Sequence, residues 1–362
     1  MARLFGTDGV RGLANGLITA ELALKIAQAA ARVLGEDARK AGRRPKAVLA
    51  RDPRISGKFL ASAVASGLAS SGIDVYDAGV VPTPAAAFLT ADIDADFGVM
   101  ISASHNPAPD NGIKIFASGG HKLDDRIEDE IEAALELEPL KPIGATVGHV
   151  SRFADAEDRY LVHLLKALPN KLNGLTVVVD CANGAASSVS PDAFRDAGAK
   201  VIVIGANPDG LNINEGCGST HLSALQAAVL EHKADAGVAH DGDADRCFVI
   251  DENGDPVNPS AVAAIVARRE IARVRAAKPD ADITVLYNLI TSRIVKETIE
   301  ADGAKSVRTK VGHSLIKDQM AATKAIFGGE HSAHYYFADF WGADNGMLAA
   351  MHVLAEFGLQ DL

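Results

Sequence analysis

The sequence predicts an α/β protein: three consecutive α/β domains, each with a mixed sheet between helices. Two observations predict it. Short apolar runs such as Gly98-Val99-Met100-Ile101 and Leu175-Thr176-Val177-Val178-Val179 lack helical periodicity and suit strands covered on both faces. They alternate with amphipathic stretches such as Leu22, Ile26, Ala29 and Val33, a pattern that gives parallel or mixed sheets with helices on both faces. At 362 residues the chain exceeds one ordinary core, and it divides here into residues 1–150, 151–255 and 256–362.

Along the first domain, Thr7-Asp8-Gly9-Val10-Arg11-Gly12 reads as a glycine-punctuated loop carrying one arginine toward something anionic. Thr19 is placed to cap a helix that runs to about Leu34. Lys46 to Ala50 is a strand, and Arg51-Asp52-Pro53-Arg54 then puts two arginines before a helix starting near Gly57, a place that suits an anion. A strand over Ile73 to Tyr76 and the turn Pro82-Thr83-Pro84 lead to the strand that ends at Ser102-Ala103-Ser104-His105-Asn106-Pro107. Asn106-Pro107 fixes a turn directly behind Ser104 and His105. Asp110-Asn111-Gly112 reads as a hairpin turn returning Lys114 toward Ser104. A helix over Asp124 to Leu137 precedes Glu138-Pro139-Leu140-Lys141-Pro142-Ile143-Gly144, the expected exit from this domain.

In the second domain a helix through Leu168 is followed by strands over Leu175–Asp180, Lys200–Ile204 and Ala236–Ala239. The last leads through His240 into Asp241-Gly242-Asp243-Ala244-Asp245-Arg246. Three carboxylates at every second position repel one another and call for a compensating positive charge. Hard oxygen donors in a short loop fit Mg²⁺, whereas the longer loop and terminal glutamate of an EF-hand are missing. Arg246 would complement a phosphate held by such a metal. The third domain reads as a helix through Arg275, a strand at Thr284–Leu286, a helix at Ile294–Ala301, a strand at Val307–Lys310 and a helix from about Asp344. Its loops Thr309-Lys310-Val311-Gly312-His313 and Gly329-Glu330-His331-Ser332-Ala333-His334 interrupt strand-like runs with polar groups. In extended backbone Glu330, Ser332 and His334 would share one face and hydrogen-bond a polyol.

Composition narrows the function. Hydrophobic residues make up 48% and charged residues 23%, and no apolar run is long enough to span a bilayer, so no membrane partner is expected. The first residues lack the apolar core of a signal peptide, which makes a cytoplasmic location the expectation. Cys181, Cys217 and Cys247 are odd in number and widely spaced, which fits neither a disulfide framework nor a zinc site. A net charge of −11 disfavours nucleic acid but allows a small phosphorylated ligand held by local arginines. Nothing in the sequence fixes an oligomeric state.

Taken together, Ser104-His105-Asn106-Pro107, Asp241-Gly242-Asp243-Ala244-Asp245-Arg246 and Gly329-Glu330-His331-Ser332-Ala333-His334 resemble three of the four domains of the α-D-phosphohexomutase superfamily in order and spacing. Residues 1 to about 250, from Leu4-Phe5-Gly6-Thr7-Asp8-Gly9-Val10-Arg11-Gly12 onward, are similar to its bacterial phosphoglucosamine mutase branch. After Cys247, Asn288-Leu289-Ile290-Thr291-Ser292-Arg293 and Gly328 to Trp341 look more like its phosphomannomutase branch, as if two branches joined at the aspartate loop.

The resemblance implies a phosphosugar mutase that works through an enzyme phosphoserine and a hexose 1,6-bisphosphate, which also serves as activator. By it, Ser104 carries the phosphoryl group, and Ser104, Asp241, Asp243 and Asp245 hold Mg²⁺. Arg11, His105, Lys114 and Arg246 surround the transferring group, with Lys114 or His105 as general acid or base. Glu330, Ser332 and His334, with Lys310 and His313, read the sugar phosphate. Glucosamine 6-phosphate is the leading substrate, and mannose or glucose phosphate the alternative. The resemblance stops at Leu362, and the expectation is that the family's fourth, C-terminal domain with its phosphate clamp is absent. Without its charge-assisted hydrogen bonds, of roughly 1.5–3 kcal/mol each, the expectation for these residues alone is weak turnover or phosphosugar binding only.

Overall fold

A computed structural model describes residues 3–6, 9–168 and 170–358, except for the side chains of His313 and Ser314. Thr7 and Asp8 of the expected N-terminal loop lie outside the described residues. Contacts divide the chain into two compact units, one of residues 1–160 with 208–213 and one of residues 161–207 with 214–362.

The first unit is built on a six-stranded sheet. Its elements are β1 (Val10–Leu13), α1 (Ala20–Leu34), α2 (Glu36–Lys40), β2 (Lys46–Arg51), α3 (Gly57–Ser70), β3 (Asp74–Val80), α4 (Thr83–Asp92), β4 (Phe97–Ile101), β5 (Asp110–Ala117), α5 (Asp125–Ala134) and β6 (Val150–Arg152). The strand order is β1-β5-β4-β2-β3-β6, with β4, β2, β3 and β6 parallel and β5 and β1 antiparallel to their neighbours. The Thr19 hydroxyl accepts from the Leu22 N–H at 3.2 Å, capping α1 as its position predicts. Gly67 lets α3 approach α1, since a Cβ there would sit 2.7 Å from the Leu24 carbonyl oxygen. Ile26, Leu49, Leu60, Val64, Phe97, Val99 and Ile113 form the core between helices and sheet, each side chain contributing about 1.5–3 kcal/mol by burial.

Two expectations are corrected in this unit. Arg11 lies on strand β1, not in a loop. Asp110-Asn111-Gly112 is the start of β5, paired to β1, because the turn falls earlier, at Ala103 to Asn106. Beyond Glu138–Gly144, β6 adds a further parallel strand beside β3.

The second unit carries two more mixed sheets. One comprises α6 (Ala156–Ala167), β7 (Thr176–Asp180), α7 (Ala186–Asp196), β8 (Lys200–Ile204), α8 (Ser223–His232), β9 (Ala236–Ala239) and β10 (Phe248–Ile250), with order β10-β9-β7-β8. The other comprises α9 (Pro259–Ala277), β11 (Thr284–Asn288), α10 (Arg293–Ala301), β12 (Lys305–Thr309), α11 (His313–Thr323), β13 (Phe327–Gly329), β14 (Tyr335–Phe337), β15 (Ala343–Asp344) and α12 (Gly346–Phe357), with order β12-β11-β13-β14-β15. Among the described residues no helix is long and apolar enough to cross a membrane.

The N-terminal segment is fastened to α5. Glu132 Oε1 accepts from the N–H groups of Leu4 and Phe5 at 2.8 Å each, and Arg3 Nη2 donates to Glu128 Oε2 at 3.0 Å. Burial pushes the Glu128 carboxyl up to about 7 from 4.5, against the pull of Lys122 and Arg3. The folded state therefore holds this proton more tightly than the unfolded chain. Its contribution to stability is complete below pH 4.5 and is lost as pH rises to about 7. Urea midpoints measured across that window should fall more for the wild type than for Glu128→Gln, and equal slopes would refute the assignment.

Candidate active site

The serine loop hangs from the end of β4, and a single buried arginine holds it. Arg54 is 1% exposed, and its guanidinium spends all five donors. Nε donates to Asp52 Oδ2 at 2.9 Å. Nη2 donates to the carbonyls of Ser104 and Asn106 at 2.9 and 2.8 Å, and Nη1 to those of Pro107 and Asp110 at 2.5 and 3.0 Å. Asp52 also accepts from the Ser102 hydroxyl at 2.6 Å, and Ser102 Oγ in turn accepts from the Ser104 N–H at 3.0 Å. Burial pushes the Asp52 carboxyl up, while Arg54 and Ser102 favour its charged form. The anion site expected at Arg51 and Arg54 is thus not there: Arg54 grips backbone, and Arg51 lies 3.9 Å from Asp77.

This scaffold sets Ser104 in a left-handed conformation, φ 51°, at a cost of about 1–2 kcal/mol for a residue with a Cβ. The Asn106 N–H donates to the Ala103 carbonyl, so Ser104 and His105 are the central residues of a turn, not of an extended strand. Ser104 is buried and His105 exposed. Lys114, 3% exposed, lies opposite Met100 on β5. Arg11 pairs with Gly112, where a Cβ would come within 2.5 Å of the Ser102 carbonyl oxygen and 3.0 Å of Arg11 Cγ, so only glycine fits.

In the second unit, β9 ends where Asp241, Asp243 and Asp245 begin, and all three are buried. One oxygen from each lies within 4.8 Å of the others. Carboxylate oxygens grouped this closely are the hard donors a small divalent cation takes, with waters or phosphate oxygens completing its shell. The residues therefore fit a divalent cation. Arg246 is their internal counter-charge, with Nε and Nη2 each 3.1 Å from Asp241 Oδ2 and Nε 3.9 Å from Asp245. Burial lowers the Arg246 guanidinium, but Asp241, Asp245 and Asp243 outweigh it and hold it above the ordinary arginine value. His240 is wholly buried and braces the loop: Nδ1 lies 3.1 Å from the Arg246 carbonyl and Nε2 2.9 Å from the Ser190 hydroxyl. Burial lowers its pKa, so it stays neutral as a strut. Ser104 belongs to the first unit, and the carboxylate group of the second consists of its three aspartates.

The loop after β13 is a tight hairpin. The Glu330 N–H donates to the His334 carbonyl at 3.0 Å, and Ala333 has φ 64°. Glu330, Ser332 and His334 therefore do not share a strand face, which corrects the expectation. Glu330 is 2% exposed and firmly oriented: Tyr336 donates its hydroxyl to Oε2 at 2.6 Å, and Asn288 Nδ2 donates to Oε1 at 3.1 Å. Burial and neighbouring carboxylates raise Tyr336, which keeps that donor protonated. Ser332 is exposed at the tip, its hydroxyl 3.0 Å from His334 Nδ1. A donor atom of His334 also lies within 4.8 Å of Asp245 and Asp344, and Lys317 pairs with Asp344 at 2.9 Å. Lys310 is exposed just past β12. His313 opens α11, and its side chain is outside the described residues.

Sequence reasoning missed the braces Asp52, Arg54, Ser102, His240, Asn288 and Tyr336. Only the Asp52-Pro53-Arg54 spacing after a strand hinted at one of them.

The chain matches the phosphoglucomutase/phosphomannomutase alpha/beta/alpha domain I over residues 2–140, domain II over 158–254 and domain III over 258–360. It belongs to this family. It is 57% identical over 359 residues to the phosphoglucosamine mutase of Paenarthrobacter aurescens, covering 99% of this chain and 78% of that one. It is 55% identical over 361 residues to that of Arthrobacter sp., with the same coverage. A crystal structure of a phosphoglucomutase/phosphomannomutase family protein from Burkholderia thailandensis superimposes with TM-score 0.85 at 26% identity, covering 99% of this chain and 77% of that one. The family and its relatives make the chain an isomerase, a phosphosugar mutase. Because the alignments cover 99% of the chain, residues after Cys247 fall within the same match, and no join at the aspartate loop is required.

Two outcomes follow from this geometry. Arg54→Met strips the buried Asp52 of its counter-charge and four loop carbonyls of their donor, so the urea-derived stability should drop by about 3–5 kcal/mol. Arg54→Lys should recover only part of it, because one ammonium cannot make five planar bonds. Asp243→Asn should weaken Mn²⁺ binding, read by calorimetry, by at least the roughly 10–100-fold that outer-sphere partners command. An unchanged affinity would remove Asp243 from the ligand set.

Proposed function

We propose that the chain interconverts glucosamine 6-phosphate and glucosamine 1-phosphate through a phosphoserine at Ser104. The observation that carries this reading is the 57% identity over 359 residues to a phosphoglucosamine mutase, an alignment long enough to take in the serine, aspartate and hairpin loops. Phosphoserine would pass its phosphoryl group to a hydroxyl of the sugar monophosphate. The Ser104 oxygen–phosphorus bond breaks and a sugar oxygen–phosphorus bond forms; of His105 and Lys114, one takes the sugar hydroxyl proton as general base and the other gives a proton to the departing Ser104 oxygen as general acid. The resulting hexose 1,6-bisphosphate turns over, and its other phosphate returns to Ser104. A trace of that bisphosphate would also activate unphosphorylated enzyme.

In this reading Asp241, Asp243 and Asp245 hold Mg²⁺, with the phosphoryl group on Ser104 as a further ligand. When bound, the ion neutralises charge and draws electron density from the phosphoryl group. Arg11 and Arg246 offset the charge that remains, Arg246 already being held against Asp241. Glu330, kept in one orientation by Tyr336 and Asn288, accepts hydrogen bonds from sugar hydroxyls, with Ser332, His334, Lys310 and His313 completing the sugar-phosphate contacts.

The test begins with the first half of the cycle. Glucose 1,6-bisphosphate labelled in its phosphates should transfer label to the wild type but not to Ser104→Ala, whose isomerisation should fall by about 10³-fold or more. Label on Ser104→Ala would sink the assignment. A coupled assay should then show glucosamine 6-phosphate preferred over mannose 6-phosphate, and the reverse preference would overturn the sugar but not the serine.

A further inference from the structure

One cavity of the first unit belongs to none of these loops. It measures about 620 Å³ and is lined by Arg39 of α2 and by residues of the α2–β2, α3–β3 and α5–β6 connections, among them Arg43, Arg44 and Lys141. That volume lies within the range of sites for small organic ligands. Pro45 lies one residue before β2 and Gly72 two before the parallel strand β3, so the cavity opens at the strand starts, whereas the serine loop and Arg54 follow strand ends. A six-residue strand separates the two edges by about 20 Å.

The lining is cationic on one side and apolar on the other. Four cations and no carboxylate contribute to it, together with Pro45, Leu140 and Pro142. Each cation is held by a group outside the lining. Arg43 pairs with both oxygens of Asp96, and Arg44 with Asp74 and the Ala145 carbonyl. Arg39 donates to the carbonyls of Ala31 and Arg32, and Lys141 to Glu138. Those partners fix the cations in place without entering the cavity. Arg39 donates only to carbonyls among these partners, and burial lowers its guanidinium while Glu36 and Asp96 act in the opposite direction. Ser71, 2% exposed, completes the lining on the α3–β3 side.

From the cationic and apolar walls together we infer that this cavity binds a nucleotide, its phosphates against Arg39, Arg43, Arg44 and Lys141 and its base against Pro45, Leu140 and Pro142. Arginine forks suit phosphate oxygens. A sugar monophosphate or a bare phosphate would leave the apolar wall uncovered, and a nucleoside diphosphate covers both. The site is separate from the mutase reading and does not depend on it.

The test is calorimetric titration of the 362-residue chain with ADP, without divalent cation, at low and moderate salt. Saturable binding that weakens with salt is expected. Arg44 and Lys141 have side chains 42% and 73% exposed, and exposed ion pairs contribute little to folding, so Arg44→Gln/Lys141→Gln should melt like the wild type. Its affinity for ADP should fall at least about tenfold, equivalent to about 1.4 kcal/mol, while label transfer to Ser104 stays unchanged. No binding at millimolar ADP, or binding that the double variant leaves intact, overturns the site. Inorganic diphosphate binding as tightly as ADP overturns the nucleotide.

Discussion

The first unit depends on the buried pair of Asp52 and Arg54. Removing a guanidinium from water is tolerable only when every donor is met, and here one carboxylate and four backbone carbonyls meet all five. Those carbonyls belong to Ser104, Asn106, Pro107 and Asp110, so desolvation of the arginine and the path of the serine loop become one constraint. The loop cannot relax without stranding a buried charge. That is how a serine with a Cβ is kept at positive φ, a conformation it would not hold in a free loop.

The second unit meets a related problem with opposite sign. Three buried carboxylates crowd one turn, and Arg246 offsets only part of their charge. The turn stays rigid because its backbone is tied elsewhere: His240 holds the Arg246 carbonyl, and Asp180 holds the N–H groups of Ala182 and Gly218 on the neighbouring segments. The remaining negative charge is what a divalent cation would satisfy. Glu330 shows the same economy, a buried carboxylate whose two oxygens are occupied by Tyr336 and Asn288 and whose direction is thereby fixed.

Much of this was legible in the residues. The apolar runs at Lys200–Ile204 and Ala236–Ala239 form strands with the bounds their pattern predicts: β9 is buried throughout and reads as a continuous run of small apolar residues, and β8, half-buried at the sheet edge, keeps the β-branched residues that favour extended backbone. Thr19 announced its helix by capping chemistry that acts within one turn. The aspartate loop was legible because like charges at every second position are too costly to stand without a counter-ion. Arg54 misled for a related reason: an arginine after a strand reads as an anion site, and only its burial among carbonyls shows that its charge is already spent.

What the sequence determined by itself is therefore local and chemical: the α/β class, the serine turn, the carboxylate cluster and the polar hairpin, each encoded within a few consecutive residues. Tertiary structure alone decided which partners occupy those groups. Asp52 meets Ser102 across fifty positions and Glu330 meets Asn288 across forty-two, separations at which no pattern of spacing carries information. It also decided backbone direction at Arg11, Asp110 and Glu330, where a strand or tight hairpin replaced the expected loop, turn or extended run. The physical reason is the same in each case: hydrogen-bond satisfaction of a buried polar group is settled by whatever folds against it.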